Sequence, residues 1–382
     1  MILLSDNPLL RIVFDLLNYL ILISILYFLF KKKIINQKDL ITYSLFSFSP
    51  FLINEVLVPH TVFWDQNRYV FLTNLIRNNW LNGNFIPPSN EHIKVVLSSY
   101  IFALFPILTF NTINSIAFVN KGIYFLGLIY INSKVKINDT FKIFLLFTPS
   151  VLIYSSLSLR DILILTFMLL SFFLIVCEKR YTIGLIILLL LLYIKLQNGL
   201  ITVSSILIYF LYIKIFNKNF FKTFILLIIF TFFLFYFFDE YIFDRFNHYR
   251  KGLYLEEYYQ YRDLLSRKYF DIFFPIGYDF YTLKTIIISF FNFIIAPTLS
   301  ITNLFHLISS IESFFIIIFC ILFFINQYSI DKKLTIFWIL LLIIFLAVYS
   351  LLPFNDNAIV RYRFPIVMFF LMCSYLTTKK YR

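Results

Sequence analysis

The sequence predicts an all-α, polytopic membrane protein, and three observations support that fold class. The chain has 382 residues, of which 61% are hydrophobic and only 14% are charged. Its mean hydropathy of +0.85 is too high for a soluble protein of ordinary core and surface. Apolar runs of about 15 residues or more recur along the whole chain, separated by short gaps that contain lysine. A soluble globular protein is therefore excluded.

The lysine-bearing gaps set the predicted topology, because cytoplasmic loops carry an excess of Lys and Arg. A lysine triplet at 31–33 and Lys38 follow the first apolar run, so we expect this gap inside and the N-terminus outside. Further gaps placed inside on the same grounds are 133–142, 178–181, 214–222, 327–333 and 378–382. The assignment predicts about 11 transmembrane helices, at 13–30, 40–57, 113–131, 143–157, 161–177, 182–196, 199–213, 223–238, 303–325, 334–352 and 364–375.

Two long segments, 59–112 and 239–300, are placed outside and are expected to form a periplasmic lobe of a single membrane domain, 1–382. Each contains an apolar stretch, 95–110 and 285–296 respectively. These stretches must lie in the interface or re-enter without crossing the membrane, because otherwise the lysine-bearing gaps could not all lie inside. We expect function on this external face, because acidic, basic and aromatic residues are mixed there.

Several functional classes lack their sequence signatures. Three cysteines and four histidines are scattered without the spacing of a metal or redox motif. With only 7 Gly and no phosphate-binding loop, ATP-driven transport by this chain is not expected. The net charge of +13 is spread over short loops, as in other membrane proteins, so no nucleic-acid partner is predicted.

The first external segment contains a candidate catalytic carboxylate. Asp65 directly follows a predicted helix exit, beside Trp64 and with Arg68 as a candidate partner. From 66 to 80 apolar residues recur with helical spacing, which predicts a helix along the membrane surface. Asp is also a favoured N-cap residue, so a purely structural role at the start of this helix is the open alternative.

A short second external turn ends in Arg160 and Asp161. A carboxylate held there could bind an acceptor hydroxyl or a divalent metal ion. Ser158 and Asp161 also form an S-x-x-D capping pattern, which predicts a structural helix start. The two interpretations are compatible.

Cations at other external turns indicate an anionic ligand. Arg361 and Arg363 lie beside the bilayer on the predicted outer side, against the usual charge bias, and a lipid phosphate would explain them. Snorkelling to lipid headgroups is the alternative. Lys195 would add a cation at a further external turn.

Two other features bear on function. The external segment 239–284 mixes arginine with tyrosine, a composition that suits sugar rings and also suits an interfacial aromatic belt. Asp15, Glu55 and Glu312 are predicted intramembrane acids, which are functional candidates by that position.

The order of these elements resembles the polyprenyl-phosphate-dependent membrane glycosyltransferases of the GT-C type. The shared features are a spanning helix, an external Asp65 followed by surface helices, the turn 158–161, and the Arg-Tyr-Arg-Phe-Pro stretch at 361–365. In that family the first external loop supplies a catalytic Asp or Glu, and an acidic residue often follows in the second external loop. This chain departs from the pattern because Gln66 replaces the second acid of the usual doublet and an additional helix precedes the loop.

The chain is also similar to Wzy-type O-antigen or capsule repeat-unit polymerases, which have many predicted spans and a large external loop rich in arginine. Arg250 and Arg267 lie on such a loop here. Both resemblances imply an integral membrane glycosyltransferase of cell-surface polysaccharide synthesis, which could make O-antigen, capsule or exopolysaccharide. Its expected place is the periplasmic face of a bacterial inner membrane.

On this interpretation the partners are an undecaprenyl-linked sugar donor, a glycan acceptor and the lipid bilayer. Asp65 would be the base that takes the acceptor proton, and Asp161 would position the acceptor or a divalent ion. No cofactor is firmly predicted, and a divalent metal is left open. The residues expected to bind substrate or lipid phosphate are Arg68, Arg160, Lys195, Arg361 and Arg363. The alternative from another class is a lipid-linked oligosaccharide flippase or other transporter, whose ionisable residues should lie at mid-membrane.

Overall fold

The computed structural model describes residues 8–54, 56–58, 63, 65–84, 93–105, 112–215, 222, 225, 247–248, 280–295, 304–351 and 356–380. Within those ranges the regular elements are all helices. They are α1 (Pro8–Lys31), α2 (Gln37–Phe48), α3 (Pro50–Ile53), α4 (Asp65–Leu81), α5 (Ile93–Leu104), α6 (Ser115–Lys134), α7 (Asp139–Phe147), α8 (Pro149–Ser156), α9 (Asp161–Phe172), α10 (Tyr181–Ile194), α11 (Leu196–Phe210), α12 (Phe280–Ile295), α13 (Leu304–Tyr328), α14 (Lys332–Tyr349) and α15 (Asp356–Lys380). Two π-helical turns, Phe173–Cys177 and Leu211–Ile215, continue α9 and α11.

Six helices in the described ranges are long and apolar enough to cross a membrane, which confirms the helical membrane class. A seventh is added if the bent pair Pro149–Ser156 and Asp161–Cys177, with an angle of 115°, forms one span. The prediction of eleven spans is not confirmed. The six are Leu9–Lys31, Ser115–Lys134, Leu196–Ile213, Leu307–Tyr328, Lys332–Tyr349 and Ile359–Lys379.

Proline accounts for two of the missing spans. The predicted span 40–57 is divided into α2 and α3 at Pro50, and the predicted span 143–157 is divided into α7 and α8 at Pro149. Proline has no amide hydrogen, and its ring clashes with the preceding helical turn, so it kinks or breaks a helix. At Pro50 and Pro149 a new helix begins, whereas α15 continues through Pro365. The predicted span 223–238 lies outside the described residues, apart from Ile225.

Three apolar helices are too short for an upright span. The predicted span 182–196 is α10, which has 14 residues. The two stretches that we expected not to cross correspond to α5, with 12 residues, and α12, with 16. Their lengths agree with that expectation, since an upright span needs about 20 residues.

Arginine side chains hydrogen-bond to carbonyl oxygens at the C-termini of these three short helices. Arg77 binds the last turn of α5, with its Nε 3.1 Å from the carbonyl oxygen of Ala103. Arg160 binds the final carbonyl of α10, and Arg363 binds the penultimate carbonyl of α12 at 2.6 Å. The last carbonyls of a helix have no partner within it, so a buried end needs such a donor. Burial lowers the pKa of Arg77 from its usual value, although an arginine stays protonated at neutral pH.

The chain divides into two compact units, Met1–Thr202 and Val203–Arg382. Two units can belong to one membrane domain, so the single-domain prediction stays a prediction. In the second unit, the indole of the fully buried Trp338 on α14 donates to the Thr377 hydroxyl on α15 at 2.8 Å. Tyr212 stacks on Phe337 with ring centroids 4.3 Å apart.

The first unit has two polar ends, joined by α6. At one end the gap that follows α1 and the gap that follows α6 line a common cavity, and both gaps were predicted to be cytoplasmic. At the other end Asn114, just before α6, belongs to a polar cluster with Asp15 and Asn54, and Gln66 joins this cluster to the turn before Asp161. The 20 residues of α6 separate the two ends by about 30 Å at 1.5 Å per residue. The contacts thus pair these gaps as the charge pattern predicted.

Candidate functional site

Asp65 is the first residue of α4, and its side chain is exposed. It lies inside the first turn, whereas the capping alternative placed it before the helix. A carboxylate in a first turn is favoured by the helix dipole. Arg68 follows three residues later, half-buried, and this spacing places it beside Asp65 on the surface of α4.

The next residue, Gln66, is completely buried and connects α4 to the second external turn. Its Oε1 accepts hydrogen bonds from the backbone N–H of Ser158 at 2.9 Å and from Nδ2 of Asn54 at 3.1 Å. Asn54 Nδ2 also donates to Oδ1 of Asn114 at 2.8 Å. In the sequence Gln66 stands out only as a departure from an acidic doublet, yet this residue connects the start of α4, with Asp65, to the turn that precedes Asp161.

The same cluster continues to Asp15, one of the predicted intramembrane acids. Its two carboxylate oxygens accept from Thr112 Oγ1 and Asn114 Nδ2, each at 2.8 Å. Arg11 Nε lies 3.8 Å away, one helical turn earlier on α1. Asp15 is therefore a hydrogen-bonded member of the network that connects α1, α4 and the turn 157–160. Glu55 lies outside the described residues, and Glu312 is buried on α13.

The turn 157–160 is held by the Asn120 side chain of α6 and by backbone groups of Ile113 and Ala117. The Ser158 hydroxyl donates to the carbonyl oxygen of Ile113 and accepts from the Ala117 N–H at 3.2 Å. Asn120 Nδ2 donates to the carbonyl oxygens on either side of Ser158, at 3.0 and 2.6 Å. The predicted S-x-x-D capping interaction is wrong, because these contacts occupy Ser158 and the N-cap position of α9 is Arg160, without a side-chain cap.

Asp161 opens α9, and the side chain of Arg160, directly before it, contacts two backbone carbonyl oxygens. Asp161 is 5% exposed. The guanidinium of Arg160 donates from Nη1 to the carbonyl oxygens of Ile194, at 3.2 Å, and Lys94, at 3.4 Å. Lys195 directly follows Ile194 and is half-buried, whereas Lys94 is exposed. The Arg160 side chain thus contacts the backbone of Lys94 and that of Ile194, the residue before Lys195. The sequence predicted Lys195 as a cation at a further external turn and did not single out Lys94.

Arg361 and Arg363 lie in the second unit, on α15. Arg363 is 3% exposed and donates to the carbonyl oxygens of Phe293 and Ile294 and to the Ser313 hydroxyl. Its observed partners are thus protein groups. Arg361 is half-buried two residues earlier, and residues at that spacing do not share a helix face. The phosphate-binding roles of both arginines stay predictions.

Sequence reasoning missed Lys121, which is completely buried in α6. Its Nζ donates to Ser155 Oγ at 2.6 Å and lies 3.7 Å from the centroid of the Phe46 ring. In the part of the chain that the structure describes, no carboxylate is within ion-pair distance of this ammonium. The sequence alone could have identified Lys121, because it is an ionisable residue inside the predicted span 113–131. The same criterion selected Asp15.

No group of three or more His, Cys, Asp or Glu residues that could hold a metal ion occurs within the described ranges. This absence does not test the alternative that Asp161 binds a divalent metal ion. The tyrosine-rich segment 239–284 lies outside those ranges, apart from residues 247–248 and the beginning of α12. No protein-family model, curated protein or solved structure matches this chain.

Proposed function

We propose that the chain is an integral membrane glycosyltransferase of cell-surface polysaccharide synthesis, with its site at the Asp65 end of the first unit. The donor would be an undecaprenyl-linked sugar, and the reaction would occur at the periplasmic face of a bacterial inner membrane. The observation that carries the proposal is the Gln66 bridge to Ser158, because it holds an exposed carboxylate and a group of cations at the same end of one unit.

The chemistry assigned to this end uses Asp65 as the general base. As the acceptor oxygen bonds to the anomeric carbon, its proton passes to Asp65, and the bond from that carbon to the phosphate oxygen breaks. The departing polyprenyl phosphate gains negative charge, which Arg160, Lys195 and Lys94 would offset. Asp161, at the start of α9, would orient the acceptor.

The test is sugar transfer by purified protein in nanodiscs, with an undecaprenyl-phosphate-linked radiolabelled sugar and a glycan acceptor. Asp65→Asn should lower the transfer rate by about 100-fold or more, the usual contribution of a general base. Asp331→Asn is the matched control, since Asp331 is the N-cap of α14 and Asn caps equally well. Full transfer by Asp65→Asn would remove this residue from the catalytic role.

The polymerase version of the proposal uses the same end of the unit, with a growing glycan as the acceptor. The length of the product distinguishes the two versions. A single addition indicates a transferase, and a ladder of repeat units indicates a polymerase.

A transporter is the second candidate, and the buried ionisable residues of α1 and α6 favour it. Asp15 and Lys121 lie within candidate spans, and the pair α8 and α9 is bent like a broken helix. In sealed vesicles, movement of a lipid-linked sugar across the bilayer without a new glycosidic bond would support transport and contradict the transferase.

A further inference from the structure

The end of the first unit that lies away from Asp65 contains a cavity of about 880 Å³. We call it the lysine cavity. It is lined by the gap between α1 and α2 and by the gap between α6 and α7. Its charged lining residues are Lys31, Lys33, Asp39, Lys136, Asp139 and Lys142.

The charge of the lysine cavity is positive. Four lysines and two aspartates give 4 − 2 = +2. Both aspartates lie against one of the four lysines, since the Nζ of Lys142 is 2.5 Å from Asp39 and 3.5 Å from Asp139. Two helix N-termini and two helix C-termini meet here, so their dipoles oppose one another and the lysines determine the sign of the potential.

Two of the three amide side chains that line the lysine cavity have their oxygens bonded to backbone N–H groups. Asn36 Oδ1 accepts from the backbone N–H of Asp39, and Asn132 Oδ1 accepts from that of Ile137, each at 2.8 Å. With the oxygens engaged, the NH₂ groups are the atoms that these residues can offer to a bound molecule. Ammonium and NH₂ groups together form a surface of donors, which suits the oxygens of a phosphate.

Lys33 has a left-handed backbone conformation, which residues other than glycine rarely adopt. Its φ is +57°, and the bonds Lys33 N–H to Phe30 and Ile34 N–H to Leu29 form the motif that ends α1. Glycine is the usual residue at this position, and Gly83 (φ +71°) fills it after α4. The turn that ends α1 thus places a lysine at the lining of the cavity.

We propose that the lysine cavity binds the phosphate group of an anionic ligand. The phosphate could belong to a membrane lipid headgroup, since the cavity lies at the ends of two candidate spans, or to a soluble phosphate or diphosphate. The positive lining and the donor surface support the proposal. It does not depend on the proposed glycosyl transfer, which uses the other end of the unit.

The experiment measures both sources of phosphate on the full chain. In the lipid arm, native mass spectrometry counts phosphatidylglycerol bound to protein released from nanodiscs of phosphatidylcholine with added phosphatidylglycerol. In the soluble arm, calorimetry follows inorganic phosphate and pyrophosphate added to protein in phosphatidylcholine nanodiscs. Binding in either arm identifies the source.

Lys33→Asn and Lys136→Gln should each weaken binding about fivefold, since one lysine near an anionic group contributes about 1 kcal/mol. Asparagine tolerates the left-handed conformation, so Lys33→Asn should fold, and Lys136 lies exposed in a loop. The matched control is Lys179→Asn, because Lys179 has the same conformation (φ +59°) but does not line the cavity.

Two results would overturn the proposal. One is the absence of phosphatidylglycerol, phosphate and pyrophosphate binding by the wild-type protein. The other is an equal loss of affinity in Lys33→Asn and Lys179→Asn, which would attribute binding to the general positive charge of this end.

Discussion

Replacement of Lys121 by methionine should stabilise the protein. The ammonium is completely buried, and its observed partners are the Ser155 hydroxyl and the Phe46 ring. A hydrogen bond from a charged donor contributes about 1.5–3 kcal/mol, and a desolvated cation–π contact contributes about 2 kcal/mol. Removal of a lone ammonium from water costs several kcal/mol, so these contacts at best cancel the cost.

Methionine would keep most of the side-chain volume and add the free energy of burying an apolar group, about 1.5–3 kcal/mol. Ser155 would not lose its only partner, because its hydroxyl also bonds to the carbonyl oxygen of Val151. The expected result for Lys121→Met is a free energy of unfolding that rises by about 1–4 kcal/mol, the range found when buried charges are replaced by apolar residues.

The assay is equilibrium unfolding in detergent micelles, followed by the fluorescence of the 3 tryptophans. Lys121→Ala is the comparison, since it removes the charge but leaves a cavity. Its free energy of unfolding should be lower than that of Lys121→Met by about 2–5 kcal/mol. A decrease of more than about 1 kcal/mol in Lys121→Met would refute the reasoning, because the contacts of the ammonium would then outweigh its desolvation.

Two further changes test contacts at the two ends of the first unit. Lys142→Met should lower the free energy of unfolding by about 3–5 kcal/mol, because it leaves the buried Asp39 carboxylate unpaired; the double variant with Asp39→Asn should recover at least half of this loss in the same unfolding assay. Gln66→Leu should lower the free energy of unfolding by about 1–3 kcal/mol, because it leaves the Ser158 N–H without its acceptor. It should also lower the rate of sugar transfer, although Asp65 is intact. Gln197→Leu, at a half-exposed position, is the control for that change, and equal transfer by both variants would contradict the role of Gln66.

Hydropathy and charge predicted the membrane class and several of the candidate spans, including those of α1, α6 and α13. The same rules failed at Pro50 and Pro149, because a hydropathy average does not register the loss of one amide hydrogen and the clash of one ring. Reading proline as an interruption inside an apolar run would have divided both predicted spans, but it would also have divided α15, which continues through Pro365.

The candidate site was predictable only in part. The charge pattern placed Asp65, Arg160 and Lys195 at external turns, and the contacts that join these turns agree with that grouping. Gln66 could not be selected, because its bond to Ser158 joins positions 92 residues apart and no local periodicity records such a contact. Lys94 was missed for a similar reason, since its carbonyl contact with Arg160 crosses 66 residues.

The arginines that bind the ends of α5, α10 and α12 bear on how apolar length is converted into membrane crossings. A helix normally continues until water can solvate its last carbonyls, and this is why residue number measures bilayer thickness. Where a guanidinium takes those carbonyls, as Arg77, Arg160 and Arg363 do, the helix can stop short of water. The length of such a helix then no longer reports the thickness of the bilayer. A count of apolar runs in the sequence therefore exceeds the number of membrane crossings.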